Sequence, residues 1–344
     1  MDKSRRPRRK IQRVTLSDVA QMAGVSPSTV SLYLRQPEAV SAGASQIIQA
    51  AIQKLNYRPN LIARGLAAAS SRVVSVIVPS VQNAFFAETV AALQRELGEA
   101  KLQLLLGHTE YNPRTEEELV RTALSWSPAA LVIAGLHHSD ATRKMLETAG
   151  VPVVEIWELG GTPVDMAVGF HHHQVGALTA RHLASRGYEN LVYLSGRTHL
   201  DTRADERARG FLAAAEALGL PARHLSHPAP ATVECGGILL SQLVDEYGAA
   251  PGTGIGCSND LIALGALFEA QRRGLRIPQD FSVVGFGDLG FSASSNPSLS
   301  TIRPFGNVIG LETARLIKAR LNGEEVAPAT VIDTGFTLLH RQSS

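Results

Sequence analysis

Between Thr15 and Leu34 the apolar residues fall at Leu16, Val19, Ala20, Ala23, Val25, Val30 and Leu34. This three-and-four spacing predicts two short amphipathic helices. Gly24 supplies the left-handed residue that closes the first, and Ser26 can cap the second with Pro27 in its first turn. A helix-turn-helix is predicted. A third helix over 44–55 offers Ile47, Ile48, Ala51, Ile52 and Leu55 to a three-helix core and stops at Tyr57-Arg58-Pro59. The pattern continues as NLIARGLAAA over 60–69. Helices shorter than about 12–15 residues are marginal in water, so this segment is expected to order only against a partner.

Beyond Arg72 the period changes to apolar runs alternating with amphipathic stretches, the signature of βαβ units and a parallel sheet. Strands are predicted at 73–79, 102–106, 130–134 and 153–157, with helices at 85–100, 114–125 and 140–149. A second set follows from His172, with helices at 174–186, 205–218, 234–247 and 260–273 and strands at 191–194, 254–257 and 282–286. The expected architecture is an all-α helix-turn-helix head with a hinge helix, then an α/β core of two parallel-sheet lobes. Its divisions are a basic tail at 1–14, the DNA-binding head at 15–59 and a hinge or linker at 60–71. The core at 72–344 has a first lobe at 72–170 and 304–329 and a second at 171–303 and 330–344. Such sheets bind ligands at their strand carboxyl ends, which makes the cleft between lobes the expected site.

Composition narrows the class. With 44% apolar and 19% charged residues the chain is not disordered, and its apolar runs fall well short of the roughly 20 residues of a spanning helix. Two cysteines, Cys235 and Cys257, stand at no metal or redox spacing and fit a reducing cytoplasm. The basic start lacks the apolar stretch of an export signal, so no membrane or periplasmic location is expected. The net charge of +2 hides an asymmetry. Residues 1–70 hold 11 Lys and Arg against 3 Asp and Glu, a balance of +8, and residues 71–344 hold 22 against 28, a balance of −6. Basic charge concentrated around a helix-turn-helix points to nucleic acid.

Several segments together carry a resemblance: TLSDVAQMAGVSPSTVSLYL at 15–34, LNYRPNLIARGLA at 55–67, NAFFAE at 83–88, SND at 258–260, GLRIPQDFSVVGF at 274–286 and PSLSTI at 297–302. The chain resembles the lac repressor family of transcription regulators from about Val14 to its end. VPVVEIW at 151–157, VDMAVGF at 164–170 and DTGFTL at 333–338 are most similar to the gluconate-utilisation repressors of that family. The implied core is of the periplasmic-binding-protein type.

In a helix-turn-helix the start of the second helix enters the major groove. Pro27, Ser28, Ser31 and Leu32 then face base edges, Ser26 and Thr29 complete that turn, and Thr15, Leu16 and Ser17 lie at the DNA backbone. Relatives often carry arginine where this chain has Leu32. Leucine can meet a thymine methyl but cannot read guanine bidentately, so a shifted half-site is expected unless Leu32 is a core residue. The resemblance also implies that Leu66 wedges into the minor groove, with Asn60, Ala63 and Arg64 at sugar and phosphate. Such a wedge works as a symmetric pair and implies a homodimer on palindromic double-stranded operator DNA. Gly65 lowers the helix propensity there by up to about 1 kcal/mol. No leucine heptad is appended, so a tetramer is not expected.

For the effector, Arg203 and Arg207 are four apart and follow Asp201 at a strand-to-helix junction, which suits an anion. The resemblance places Arg207 and Asn259 against the ligand, Phe85 and Trp157 as walls, and Asp288 as the remaining one of two acids, with Gly287 in the first place. A small sugar acid is expected, gluconate first and 2-ketogluconate or 6-phosphogluconate after it. The other reading of the arginines is a surface ion-pair network with Asp205 and Glu206.

Gly285, Gly287 and Gly290 spell GxGxxG, but SASSNP does not open a helix, so no dinucleotide is expected. His137-His138 and His171-His172-His173 lack carboxylates at ligand spacing and predict no metal, though His171 can lie near the cleft. No cofactor and no nucleophile elbow or P-loop is read, so no enzyme is expected. The rival functional readings are a corepressor-dependent regulator of the same fold and a sugar-binding protein without DNA activity.

Overall fold

The computed structural model describes residues 14–58, 72–81, 85–248 and 252–344. The chain divides into two units, 1–71 and 72–344.

In the first unit three helices, α1 (Leu16–Ala23), α2 (Pro27–Arg35) and α3 (Ala42–Lys54), enclose Val19, Ala20, Ala23, Val30, Ile48 and Ala51. Thr15 and Asp18 form a capping box on α1, which satisfies two amide donors that would otherwise be orphaned. Gly24 turns left-handed at φ 65°, and the Ser26 hydroxyl accepts from the Thr29 amide with Pro27 following. A short 3₁₀ turn over Pro37–Ala39 precedes α3 and carries no periodic signal in the sequence. The predicted hinge residues Asn60, Ala63, Arg64 and Leu66 lie outside the described residues.

The second unit holds two six-stranded sheets. The first contains β1 (Val73–Val78), β2 (Gln103–His108), β3 (Ala130–Ala134), β4 (Val153–Ile156), β5 (Met166–Gly169) and β11 (Thr330–Asp333), ordered β11-β5-β4-β3-β1-β2 and all parallel. Helices α4 (Phe85–Glu99), α5 (Pro113–Ser125) and α6 (Asp140–Glu147) belong to this lobe, and α11 (Gly306–Leu321) packs against α4. The second sheet contains β6 (Asn190–Gly196), β7 (Ala222–His227), β8 (Thr253–Cys257), β9 (Phe281–Phe286), β10 (Ser300–Pro304) and β12 (Phe336–Leu339), ordered β12-β10-β9-β8-β6-β7. Only its edge strand β12 runs antiparallel. Helices α7 (His172–Ser185), α8 (Thr202–Ala217), α9 (Val233–Tyr247) and α10 (Asp260–Arg272) cover this sheet.

Central strands such as β3 are buried end to end, as expected of parallel sheets covered on both faces. The chain passes between lobes three times: from β5 into α7, from β10 into α11 and from β11 into β12. The last crossing corrects the expected division, because residues 330–333 pair in register with Met166–Gly169 of the first lobe. The chain turns only afterwards, at Thr334 and Gly335, where the Thr334 amide donates to the Gly169 carbonyl. A four-residue, half-exposed edge strand leaves no pattern from which that register could be read.

Candidate effector cavity and DNA-contact face

At the carboxyl ends of both sheets lies a cavity of about 230 Å³. That is below the roughly 300–1,000 Å³ of drug-sized sites, so it has room only for a small molecule. Phe85, Trp157, Asp201, Arg203, Arg207 and Asn259 all line it, six of the seven effector residues read from the sequence.

The second lobe supplies the polar groups through two helix starts. The Asp201 carboxylate caps α8 by accepting from the Ala204 amide at 3.2 Å, and one turn further the helix carries Arg203 and Arg207 inward. Gly176 of α7 and Gly210 of α8 permit this placement, since a Cβ at either would overlap the facing carbonyl, of Arg207 and His173 respectively. Asn259 caps α10, its Oδ1 accepting from the Ile262 amide at 2.9 Å. Beside it the buried Asp260 accepts from the Leu289 amide and the Ser292 and Thr301 hydroxyls, and burial raises its pKa.

The two arginines differ in their partners. Arg203 is buried with Asp201 at 3.9 Å and Glu158 close by in the first lobe. Burial alone would raise the Glu158 carboxyl, but the His137 hydrogen bond at 2.9 Å, the Arg203 charge and the Leu136 amide hold it down at about 2. Arg207 is only 5% exposed. Its Nη1 donates to His172 Nδ1 and its Nη2 to the Ser258 carbonyl, both at 2.9 Å, and its guanidinium lies 4.2 Å above the centre of the Phe286 ring. Among the described residues its Nε has no partner and no carboxylate is within ion-pair distance. A guanidinium can only donate, so His172 accepts at Nδ1 and uses Nε2–H for the Trp157 carbonyl at 2.8 Å. Burial and then the Arg207 charge push the His172 pKa well below its usual value, so the ring is neutral. Asp205 and Glu206, the alternative partners of these arginines, are instead paired with Arg209.

Asp288 is the exception among the predicted effector residues. It is absent from the cavity lining, and its carboxylate is clamped by Arg303 and, at 2.7 Å, by Arg341. Gly287, at φ 126°, has no room for any side chain because a Cβ there would overlap the Phe85 ring. The aromatic ring fills the place where an acid would stand.

Sequence reasoning missed Phe86, Glu110, Tyr111, His172, Arg197 and Phe286 in the lining. Glu110, Tyr111, Trp157 and Arg197 adopt positive φ, four of the nine non-glycine residues that do so among those described. Strained backbone of this kind is typical of built sites. His171 lines a neighbouring hollow with His137, Glu158 and Glu206 instead. Carboxylates do approach the paired histidines in space: His138 contacts Glu116 at 2.8 Å and Glu155 at 3.3 Å. Even so, no group of three that could hold a metal occurs among the described residues.

On the head, Thr15, Ser17, Ser26, Pro27 and Ser28 are exposed at the starts of α1 and α2, where amide donors and the helix dipole favour phosphate. Leu16 packs partly into the three-helix core. Thr29 and Ser31 are half-buried, with Thr29 engaged on the Ser26 hydroxyl. Leu32 is half-buried yet stands apart from that core, which Val30, Tyr33 and Leu34 fill from the same helix. Ser28, Ser31, Leu32 and Arg35 share one face of α2, and the exposed Arg35 is an addition that the i, i+3, i+4, i+7 spacing could have supplied.

Residues 15–60 match the family model of bacterial regulatory proteins, lacI family, and residues 180–344 match that of the periplasmic binding protein-like domain. The helix-turn-helix transcriptional regulator GntR of Pseudomonas aeruginosa is 36% identical over 334 residues, 96% of either chain. The chain belongs to the lac repressor family. GntR of Escherichia coli K12 is 34% identical over 329 residues, 96% of this chain and 98% of its own. A LacI-family regulator of known structure from Silicibacter pomeroyi superposes with a TM-score of 0.89 at 32% identity, covering 96% of this chain and 99% of that one. This family member is therefore a DNA-binding transcription regulator and not an enzyme. None of its described helices is long and apolar enough to cross a membrane.

Proposed function

We propose that the protein is a repressor of sugar-acid catabolism genes that leaves its operator when a small sugar acid enters the cavity. The observation that carries this reading is the buried Arg207 guanidinium with no carboxylate partner among the described residues. An uncompensated buried cation is costly, and a guest anion relieves that cost. Arg203 already has carboxylates near it in Asp201 and Glu158, so Arg207 is the buried guanidinium left to meet a carboxylate guest. Gluconate and 2-ketogluconate carry one such carboxylate, and 6-phosphogluconate adds a phosphate. Phe85, Trp157 and Phe286 offer apolar faces to the carbon chain of such a guest. The likeness to regulators named GntR supports the same class.

In this reading the regulator acts in the cytoplasm as a homodimer on a palindromic operator. Ser28, Ser31 and Leu32 read bases. Effector binding weakens operator binding through a coupling that in such systems is typically about 1–3 kcal/mol.

The test is a gel-shift on an operator selected from a random pool, repeated with gluconate, 2-ketogluconate, 6-phosphogluconate and glucose. Release by gluconate and not by glucose is expected. An equal response to glucose would refute the role of Arg207, and tighter binding with gluconate would make it a corepressor. A selected half-site with thymine opposite Leu32 is the expected sequence outcome.

A further inference from the structure

One hydrogen-bond chain starts in the cavity and ends beyond its walls. Arg207 donates to His172 Nδ1 at 2.9 Å, and His172 Nε2–H donates to the Trp157 carbonyl at 2.8 Å. The Trp157 indole Nε1–H donates to Thr89 Oγ1 at 3.0 Å, and the Thr89 hydroxyl donates to the Gly306 carbonyl at 2.8 Å. Guanidinium and indole can only donate and carbonyls can only accept, so every bond in the chain has a fixed direction. All five residues are buried, where such bonds are strong and a missing partner is costly.

Two members of this chain sit at the lobe crossings. His172 opens α7 just after the first crossing, and Gly306, the last acceptor, opens α11 just after the second. Thr89 lies on α4 and lines no part of the cavity. It is held against α11 at closest approach, since a Cβ at Gly310 would stand 2.6 Å from the Thr89 carbonyl oxygen. A shift of Trp157 must therefore carry the Thr89 hydroxyl with it and strain its bond to α11, or break a buried bond.

We propose that Thr89 is a positioning residue that carries cavity occupancy into the α4–α11 pair of the first lobe. This rests on the reading of Arg207 as the anion-binding group. An anion on Arg207 competes for its donors, loosens the bond to His172 and lets the Trp157 carbonyl and indole readjust. Trp157 holds a left-handed backbone, φ 72°, which a small push can relax. Thr89 transmits that readjustment to the first turn of α11.

Thr89→Val removes the hydroxyl at nearly constant shape, and Thr89→Ser restores it. Operator affinity is measured with and without gluconate, and gluconate affinity by calorimetry. In Thr89→Val, the factor by which gluconate weakens operator binding is expected to fall about fivefold or more, with gluconate affinity and ligand-free operator affinity close to wild type. Thr89→Ser recovers the full factor, and Thr89→Ala serves if valine disturbs α4. A full response in Thr89→Val, or no recovery in Thr89→Ser, overturns the proposal. If gluconate leaves wild-type operator binding unchanged, the sugar-acid reading fails instead. The relay is then decided without ligand by a double-mutant cycle of Thr89→Val with Arg207→Lys in urea: non-additive unfolding free energies support it and additive ones overturn it.

Discussion

The two walls of the cavity are built from different chemistry. The second lobe presents Asp201, Arg203, Arg207 and Asn259 from the starts of two helices, with Phe286 at a strand end, and the first presents Phe85 and Phe86 from the start of α4 and Glu110, Tyr111 and Trp157 from the segments after its strands. The contrast sharpens within one helix. Arg203 reaches toward a first-lobe carboxylate and Arg207 does not, although they are one turn apart. One arginine thus joins the lobes, and the other is left for the guest. A polar wall that orients and an apolar wall that covers suit a molecule with a charged end and a carbon face.

The largest expected effect breaks the polar wall. Arg207→Ala is expected to weaken gluconate binding by about 2–5 kcal/mol in calorimetry while operator binding without ligand stays as in wild type. Loss of DNA binding in that variant would mean that Arg207 supports the fold.

Next, Glu158→Gln leaves Arg203 without its first-lobe partner. Glu158 titrates at about 2 in the folded protein against an ordinary 4.5. Its stabilisation is therefore complete above about pH 4.5 and is lost as pH falls through 2. The shift corresponds to at most about 3 kcal/mol. Urea denaturation should show that loss in the variant at pH 7 and a flatter acid limb between pH 4.5 and 2. An unchanged acid limb would show that the contacts of Glu158 with His137 and Arg203 do not stabilise the fold.

Gly287→Ala forces a methyl into the Phe85 ring at a positive φ. It should destabilise the core by about 1–3 kcal/mol and weaken gluconate binding, and adding Phe85→Ala should relieve the overlap but not the strain of alanine at that φ. A smaller effect comes from Phe85→Ala alone, about 1 kcal/mol of gluconate affinity with no change in charge preference. A switch toward glucose in that variant would show that the aromatic wall, and not Arg207, selects the anion.

Legibility in the sequence followed the range of the interactions. Helices α8, α9 and α10 are within a few residues of their predicted spans because caps, periods and breakers lie close together in the chain. Strands β5, β7, β10, β11 and β12 and helix α11 were not predicted as elements. β7 reads ARHLSH at a sheet edge, and β5 and β11 are four residues long, so neither alternation nor an apolar run marks them. In the sequence His172 is marked only as one of three adjacent histidines. Its role beside Arg207 depends on a helix start packed against another helix, which no spacing reveals. Asp288 was misplaced because Arg303 and Arg341, its partners, lie 15 and 53 residues away.

The sequence alone determined the three-helix head, the alternation that builds two parallel sheets and the residue types that could meet an anion, because these rest on local periodicity, capping and side-chain chemistry. Only the tertiary structure decided which arginine lacks a carboxylate among the described residues, which aspartate is engaged elsewhere and which lobe receives the strand at 330–333. Each of those outcomes depends on partners brought together from distant parts of the chain, and burial turns the presence or absence of one carboxylate into a preference for a ligand.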